Sequence, residues 1–154
     1  PIWGWFGQRH QFAMGPAYDP QPDIRRFHAG TSPIVGIAAV DVSAALVAEA
    51  GIDRMRAKST ALTSLAIDRF DAWLAPLGFT LATPRDPNQR GGHVSVCRAD
   101  GAELCARARD EEQLITDFRP PDMVRLGFPP LDTRFVDVWD AMERLSRVSR
   151  PAPG

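Results

Sequence analysis

The spacing of hydrophobic positions changes along this chain, and each change marks an element. Residues 1–32 hold glycine, proline and aromatic side chains without sustained periodicity, and Pro16, Pro20 and Pro22 punctuate them as loop. Ser32 ahead of Pro33 reads as a helix start, a capping side chain before a proline with no N–H to lose. Residues 34–48 are apolar nearly all round, broken mainly by Asp41 and Ser43, which predicts a helix to about Ala50, stopped by Gly51 and covered on several sides. A bilayer span needs about 20 apolar residues, and this run is shorter and carries a carboxylate, so a domain or subunit interface fits it better. From Ile52 the pattern turns amphipathic: Ile52, Met55, Leu62, Leu65, Phe70, Trp73 and Leu77 share one helical face, closed near Pro76 and Gly78. Alternation then predicts strands over residues 79–83 and 93–98, with the loop 84–92 between them. A helix is expected over 102–112, and short strands over 114–118 and 123–128, with Pro120 and Pro121 forcing the turn between the strands. A last helix from Thr133 is expected to bury Phe135, Val138, Trp139, Met142 and Leu145. These elements make a compact α+β unit of mostly antiparallel strands with helices on one face. The expected organisation is the end of a larger domain with its interface helix over residues 1–50, a small α+β domain over 51–150, and a tail over 151–154.

Composition narrows the function. With 44% hydrophobic and 24% charged residues the chain can build a core, and a net charge of −1 with scattered arginines offers no footprint for nucleic acid or an anionic membrane. Function must therefore come from a local site. Cys97 and Cys105, expected on a strand and a helix, lack CxxC spacing and read as buried free thiols in a reducing cytoplasm. His10, His28 and His93 show no metal-ligand spacing.

Two positions invite a chemical reading. Val124 and Leu126 flank Arg125, so in a strand they point one way and Arg125 the other. A guanidinium fork matches a carboxylate, so Arg125 suits an amino-acid anchor, although on spacing alone a surface ion pair is the better reading. In Ala29-Gly30-Thr31-Ser32-Pro33 a glycine precedes a helix start, where free amides and the helix dipole could hold a phosphate; plain capping by Ser32 is the other reading. Trp5, beside Trp3 and Phe6, reads on spacing alone as a packing aromatic.

Three stretches bring a family into view: GWFGQRHQFAMGPAYDP at residues 4–20, DIRRFHAGTSPI at 23–34 and DFRPPDMVRLGFPPL at 117–131. In this order and separation they resemble the C-terminal portion of the kynureninases, pyridoxal-phosphate enzymes of the aminotransferase class V type, and the likeness runs from Trp3 to about Val148. The resemblance implies an α/β protein of which this chain is the C-terminal part of a fold-type I PLP-dependent transferase, mainly its small domain, with an antiparallel sheet covered by helices. It implies a homodimer with active sites at the subunit interface. The reaction implied is hydrolysis of L-kynurenine, or its 3-hydroxy analogue, to anthranilate or 3-hydroxyanthranilate and L-alanine, a step of tryptophan catabolism that also feeds NAD biosynthesis.

The same resemblance assigns residues. Trp5 would give its indole N–H, a donor only, to the cofactor phosphate of the neighbouring subunit. Thr31 stands where the family has a threonine or asparagine bonding that phosphate across the dimer. Arg125 would hold the substrate α-carboxylate, with Arg119 structural. The Schiff-base lysine such an enzyme needs is expected upstream of Pro1. Lys58, the chain's only lysine, lies in an amphipathic helical run and reads as a surface residue. The chain is therefore expected to be a fragment or a truncated gene product, with no catalytic or metal-binding residue of its own and no activity alone. Where the family commonly continues APLY after the glycine–phenylalanine pair, this chain has Pro129-Pro130-Leu131-Asp132, a carboxylate in place of an aromatic. Residues 110–113 are also more acidic than a hydrophobic helix end would be. Two other readings stand beside this one. Another class V enzyme, an aminotransferase or a cysteine desulfurase, would share the fold and the arginine, and the desulfurase would need a reactive cysteine on a flexible loop. A non-catalytic small domain would instead bind a partner protein.

Overall fold

The structure is a computed structural model and describes residues 4–150; Trp3, expected to pack, and the tail 151–154 lie outside the described residues. The chain divides into two compact units, Pro1–Glu49 and Ala50–Gly154.

In the first unit, short 3-10 turns at Trp5–Gly7 and Ile24–Phe27 precede helix α1, Ile34–Ala50. The helix opens one residue later than the Ser32-Pro33 pair suggests, because the Pro33 carbonyl accepts the first helical bond from the Ile37 amide at 3.0 Å. Ser32 meets His28 Nε2 through its hydroxyl. The expected cover is not found: no residue of α1 is buried, and Val35 is 87% exposed. A sequence apolar on every side has its partner outside these residues or has none.

The second unit holds a four-stranded antiparallel sheet in the order β1-β2-β4-β3, with β1 at Thr80–Leu81, β2 at His93–Cys97, β3 at Asp117–Arg119 and β4 at Met123–Gly127. The period-two pattern sends Val94 and Val96 of β2 and Val124 and Leu126 of β4 into one buried core. Helices α2 (Ile52–Arg69), α3 (Gly101–Glu112) and α4 (Phe135–Val148) add Leu62, Ala66, Leu104, Ala108, Met142 and Leu145 to it. The helical chain of α2 continues through a π turn at Phe70–Leu74 and a 3-10 turn at Ala75–Leu77, and Gly78 stops it at a φ of 85°, a left-handed value that suits glycine.

Several expected details differ. The buried face of α2 is Ser59, Leu62, Thr63, Ala66 and Ile67, while Ile52 is exposed and Leu65, Trp73 and Leu77 are half-buried. The strand expected over 114–118 begins only at Asp117, because Gln113 turns left-handed at φ 54° and the Leu114 amide bonds back to the Ala108 carbonyl, completing the end of α3 first. Helix α4 starts at Phe135, where Asp137 accepts from the Arg134 amide at 2.8 Å. It buries Val138, Met142, Leu145 and Val148, whereas Phe135 and Trp139 are exposed. Trp139 stands edge-on to Trp73 at 4.9 Å, and the Arg69 guanidinium lies over its ring at 4.8 Å, so a cation–π stack takes the place of core burial there.

The loop before β2 is tied to α2 by a buried arginine. Arg90 donates to Thr63 Oγ1 at 3.1 Å and to Ser64 Oγ at 2.5 Å. The Phe128 amide then bonds the Gly92 carbonyl at 2.9 Å, fixing the start of β2 against the end of β4.

Candidate functional site

The first two motifs fold against each other. A Cβ at Gly4 would lie 2.0 Å from the Ala29 backbone and one at Gly7 2.3 Å from the Arg26 carbonyl, so glycine is required on both sides of Trp5-Phe6. The Gln21 amide bonds the Gly7 carbonyl and the Arg9 amide that of Asp19, each at 2.8 Å. Phe6 packs on His28 with ring centroids 5.3 Å apart. The run containing Thr31 is thereby held beside the run containing Trp5.

The two predicted phosphate donors differ in state. Trp5 is half exposed, stands edge-on to Phe6 and Phe12 at 5.1 and 5.5 Å, and donates its indole N–H to the Gln11 carbonyl at 2.8 Å. A phosphate could take that N–H only by replacing a bond the loop makes to itself. Thr31 is exposed in the segment before α1, and among the described residues its hydroxyl has no hydrogen-bond partner.

Arg125 belongs to the other unit. It lies on β4 between the buried Val124 and Leu126, opposite Ser95 of β2 and Asp117 of β3, on the sheet face away from the core. About a third of its side chain is exposed, and Nη2 donates to Asp117 Oδ2. Arg119 bonds the same oxygen, from Nε at 3.1 Å and Nη2 at 3.0 Å. Partial burial opposes ionisation of Asp117, but the Arg125 hydrogen bond and the charges of Arg119 and Arg125 outweigh it and hold the carboxyl below the usual range. The face thus carries two guanidiniums on one carboxylate. Sequence reading singled out Arg125 and missed Asp117, although counting outward from the Pro120-Pro121 turn pairs position 117 with 125.

The remaining reactive groups gather elsewhere. Lys58 lines a cleft of about 300 Å³ with Arg54, Met55, Pro130 and Leu131, where the departing loop 129–132 passes. Cys97 and Cys105 are free and half-buried rather than buried. Burial, then the charge of Asp122 and a hydrogen bond to it, pushes the Cys97 thiol up. Among the described residues no group of three or more acidic, histidine or cysteine side chains is placed to hold a metal, and no single helix is long and apolar enough to cross a membrane.

The kynureninase C-terminal domain family model matches residues 55–145. A kynureninase from Pseudomonas fluorescens is 39% identical over 148 residues, covering 96% of this chain and 35% of that protein. One from Burkholderia mallei (strain SAVP1) is 41% identical over 145 residues, covering 94% of this chain and 35% of its own length. The chain spans 35% of the length of these curated relatives. Among solved structures, an alanine–glyoxylate aminotransferase from Nostoc sp. superposes with a TM-score of 0.64 over 83% of this chain and 34% of that one, at 18% identity. That likeness, at 18% identity, shows the fold alone.

Proposed function

The chain belongs to the kynureninase C-terminal domain family, and we propose from this that it works as the C-terminal portion of a kynureninase. On this reading the complete protein is a cytoplasmic homodimer that binds pyridoxal phosphate and hydrolyses L-kynurenine or its 3-hydroxy analogue to the anthranilate and L-alanine. The observation that carries it is the family match over residues 55–145, which includes Arg125 on a strand with donors to spare.

The donor set suits one end of the cofactor. Thr31 offers a hydroxyl without a partner among the described residues just before α1, whose first amides carry partial positive charge, and Trp5 offers an indole N–H in the loop folded against it. Both suit a phosphate, and neither suits the aldehyde, which needs a lysine amine. On this reading the lysine is assigned to a part of the enzyme outside these residues. Bound, the cofactor supplies the electron sink for the bond cleavage. The work left to this chain is to grip the phosphate through Thr31 and Trp5 and to hold the substrate α-carboxylate on Arg125. The cysteine desulfurase reading loses support, because Cys97 lies on a strand with its thiol pushed up, away from the thiolate that chemistry requires.

The test is Arg125→Lys in the complete enzyme, which keeps the charge and removes the planar fork. Losing a carboxylate partner in a desolvated cleft costs about 2–5 kcal/mol, against about 0.2–1 kcal/mol for an exposed ion pair. A large fall in kcat/KM for kynurenine with thermal stability retained is the expected result. Lost stability with near-normal kcat/KM would make Arg125 a fold residue and remove the substrate role.

A further inference from the structure

Resting on that reading of Arg125, we propose that Asp117 is a positioning residue for substrate recognition: it holds the Arg125 guanidinium in place while Arg119 occupies its remaining charge, so that the pair presents an open fork to a carboxylate. Three observations carry this. First, Asp117 is the residue directly opposite Arg125 across the β3–β4 pair, so the bond joins neighbours on one face of a short hairpin. That hairpin is itself fixed: the Arg98 amide bonds the Asp122 carbonyl at 3.1 Å, and Gly101, at the start of α3, packs so closely that a Cβ there would lie 2.6 Å from the same oxygen. Second, a guanidinium has five N–H donors and the bond to Asp117 comes from Nη2 alone. Nε, Nη1 and the second N–H of Nη2 have no partner among the described residues, so one edge of the guanidinium, that second N–H together with Nε or Nη1, is still available for a bidentate grip on a carboxylate. Third, Arg119 engages the same carboxylate oxygen while lying two residues along β3 and well exposed. One carboxylate shared by two guanidiniums leaves a positive charge in excess, which attracts an anion where a one-to-one pair would be neutral. The depressed titration of Asp117 agrees, since the group stays ionised at neutral pH.

A flexible arginine stem loses rotamer freedom when it grips a ligand, and fixing it beforehand reduces that loss. The effect therefore belongs in substrate binding and leaves the later chemistry alone. The experiment uses the complete, cofactor-loaded enzyme and compares Asp117→Asn, Asp117→Ala and Arg125→Lys, measuring KM and kcat for kynurenine and the melting temperature of each. Asp117→Asn keeps the shape and removes the charge. It is expected to raise KM about tenfold, as loss of a hydrogen bond to a charged group does, with kcat within about twofold. Asp117→Ala should raise KM at least as much. An unchanged or lowered KM in the Asp117 variants, with KM raised in Arg125→Lys, overturns the positioning role and leaves the anchor intact. A lower melting temperature in Asp117→Ala with KM unchanged overturns it too, by making the residue purely structural. If Arg125→Lys also leaves KM unchanged, the anchor itself falls, and Asp117 with it.

Discussion

Thr31 and Trp5 come from adjoining motifs, and the difference between them is what each donor does before a ligand arrives. The indole N–H of Trp5 is engaged by the Gln11 carbonyl, so exchanging that partner for a phosphate gains only the difference between two hydrogen bonds. The Thr31 hydroxyl has no partner to give up among the described residues, and it precedes a helix whose amide end favours an anion. Thr31 is therefore the cleaner probe of the phosphate reading. In the complete enzyme, Thr31→Val is expected to weaken cofactor retention by about 1.5–3 kcal/mol, roughly ten- to a hundredfold, while Thr31→Ser stays near the parent. Cofactor release after dilution, followed by absorbance, measures it; equal release from all three proteins would return Thr31 to an ordinary turn residue. The sequence made Thr31 and Arg125 visible because a helix start and a strand alternation are local patterns. It hid the Gln11 bond and the Asp117 pair, which depend on how a loop closes and how two strands register.

At the scale of elements, the acidic run at the end of α3 looks misplaced along the sequence, since the C-terminal end of a helix favours cations. The fold explains it. Asp110 and Glu111 pair with Arg109 and Arg107 on their own helix, and Glu112 reaches α4, where Arg147 Nη2 meets its Oε2 at 2.6 Å and Arg144 donates to its carbonyl at 2.9 Å. The Arg147 hydrogen bond, working against partial desolvation and aided by the charges of Arg147 and Arg144, holds the Glu112 carboxyl below its usual range. A carboxyl depressed in the folded state contributes fully above its unfolded pKa, and the contribution is lost as pH falls through the folded pKa. Glu112→Gln should therefore lower the melting temperature by about 1–4 °C near neutral pH, the size of a partly exposed ion pair, and the deficit should vanish in acid. Melting curves of both proteins across that range check this; a deficit that persists in acid would assign the loss to packing. The helices and strands of this unit were legible from period and punctuation, with errors at their edges. Strand β3 starts late because the left-handed Gln113 finishes the preceding helix, and Trp139 escapes the core because Arg69 and Trp73 offer it a stack. Helix α1 was legible as a helix, yet its coverage was not, because that depends on surfaces these residues do not supply.

For the whole molecule, the decisive quantity is how much of the matched kynureninases these residues span. They span 35% of the length of the matched kynureninases, and the features that support a site here are all binding features: a hydroxyl, an indole and a fork of guanidinium donors. The chemistry of a PLP enzyme starts from a lysine amine, and this chain has one lysine, Lys58, half-buried on α2 beside Arg54 and the loop through Pro130 and Leu131. Lys58 is the one side-chain amine in the sequence, so it is the residue to test directly. The 154-residue chain, mixed with pyridoxal phosphate, is expected to form no stable stoichiometric adduct and to release no anthranilate from kynurenine. Absorbance scans before and after borohydride, followed by mass analysis of peptides spanning residue 58, give the answer. A saturable one-to-one adduct fixed on Lys58 and absent from Lys58→Arg would place the cofactor chemistry inside these residues, and the division of labour proposed for Arg125, Thr31 and Trp5 would have to be redrawn around α2.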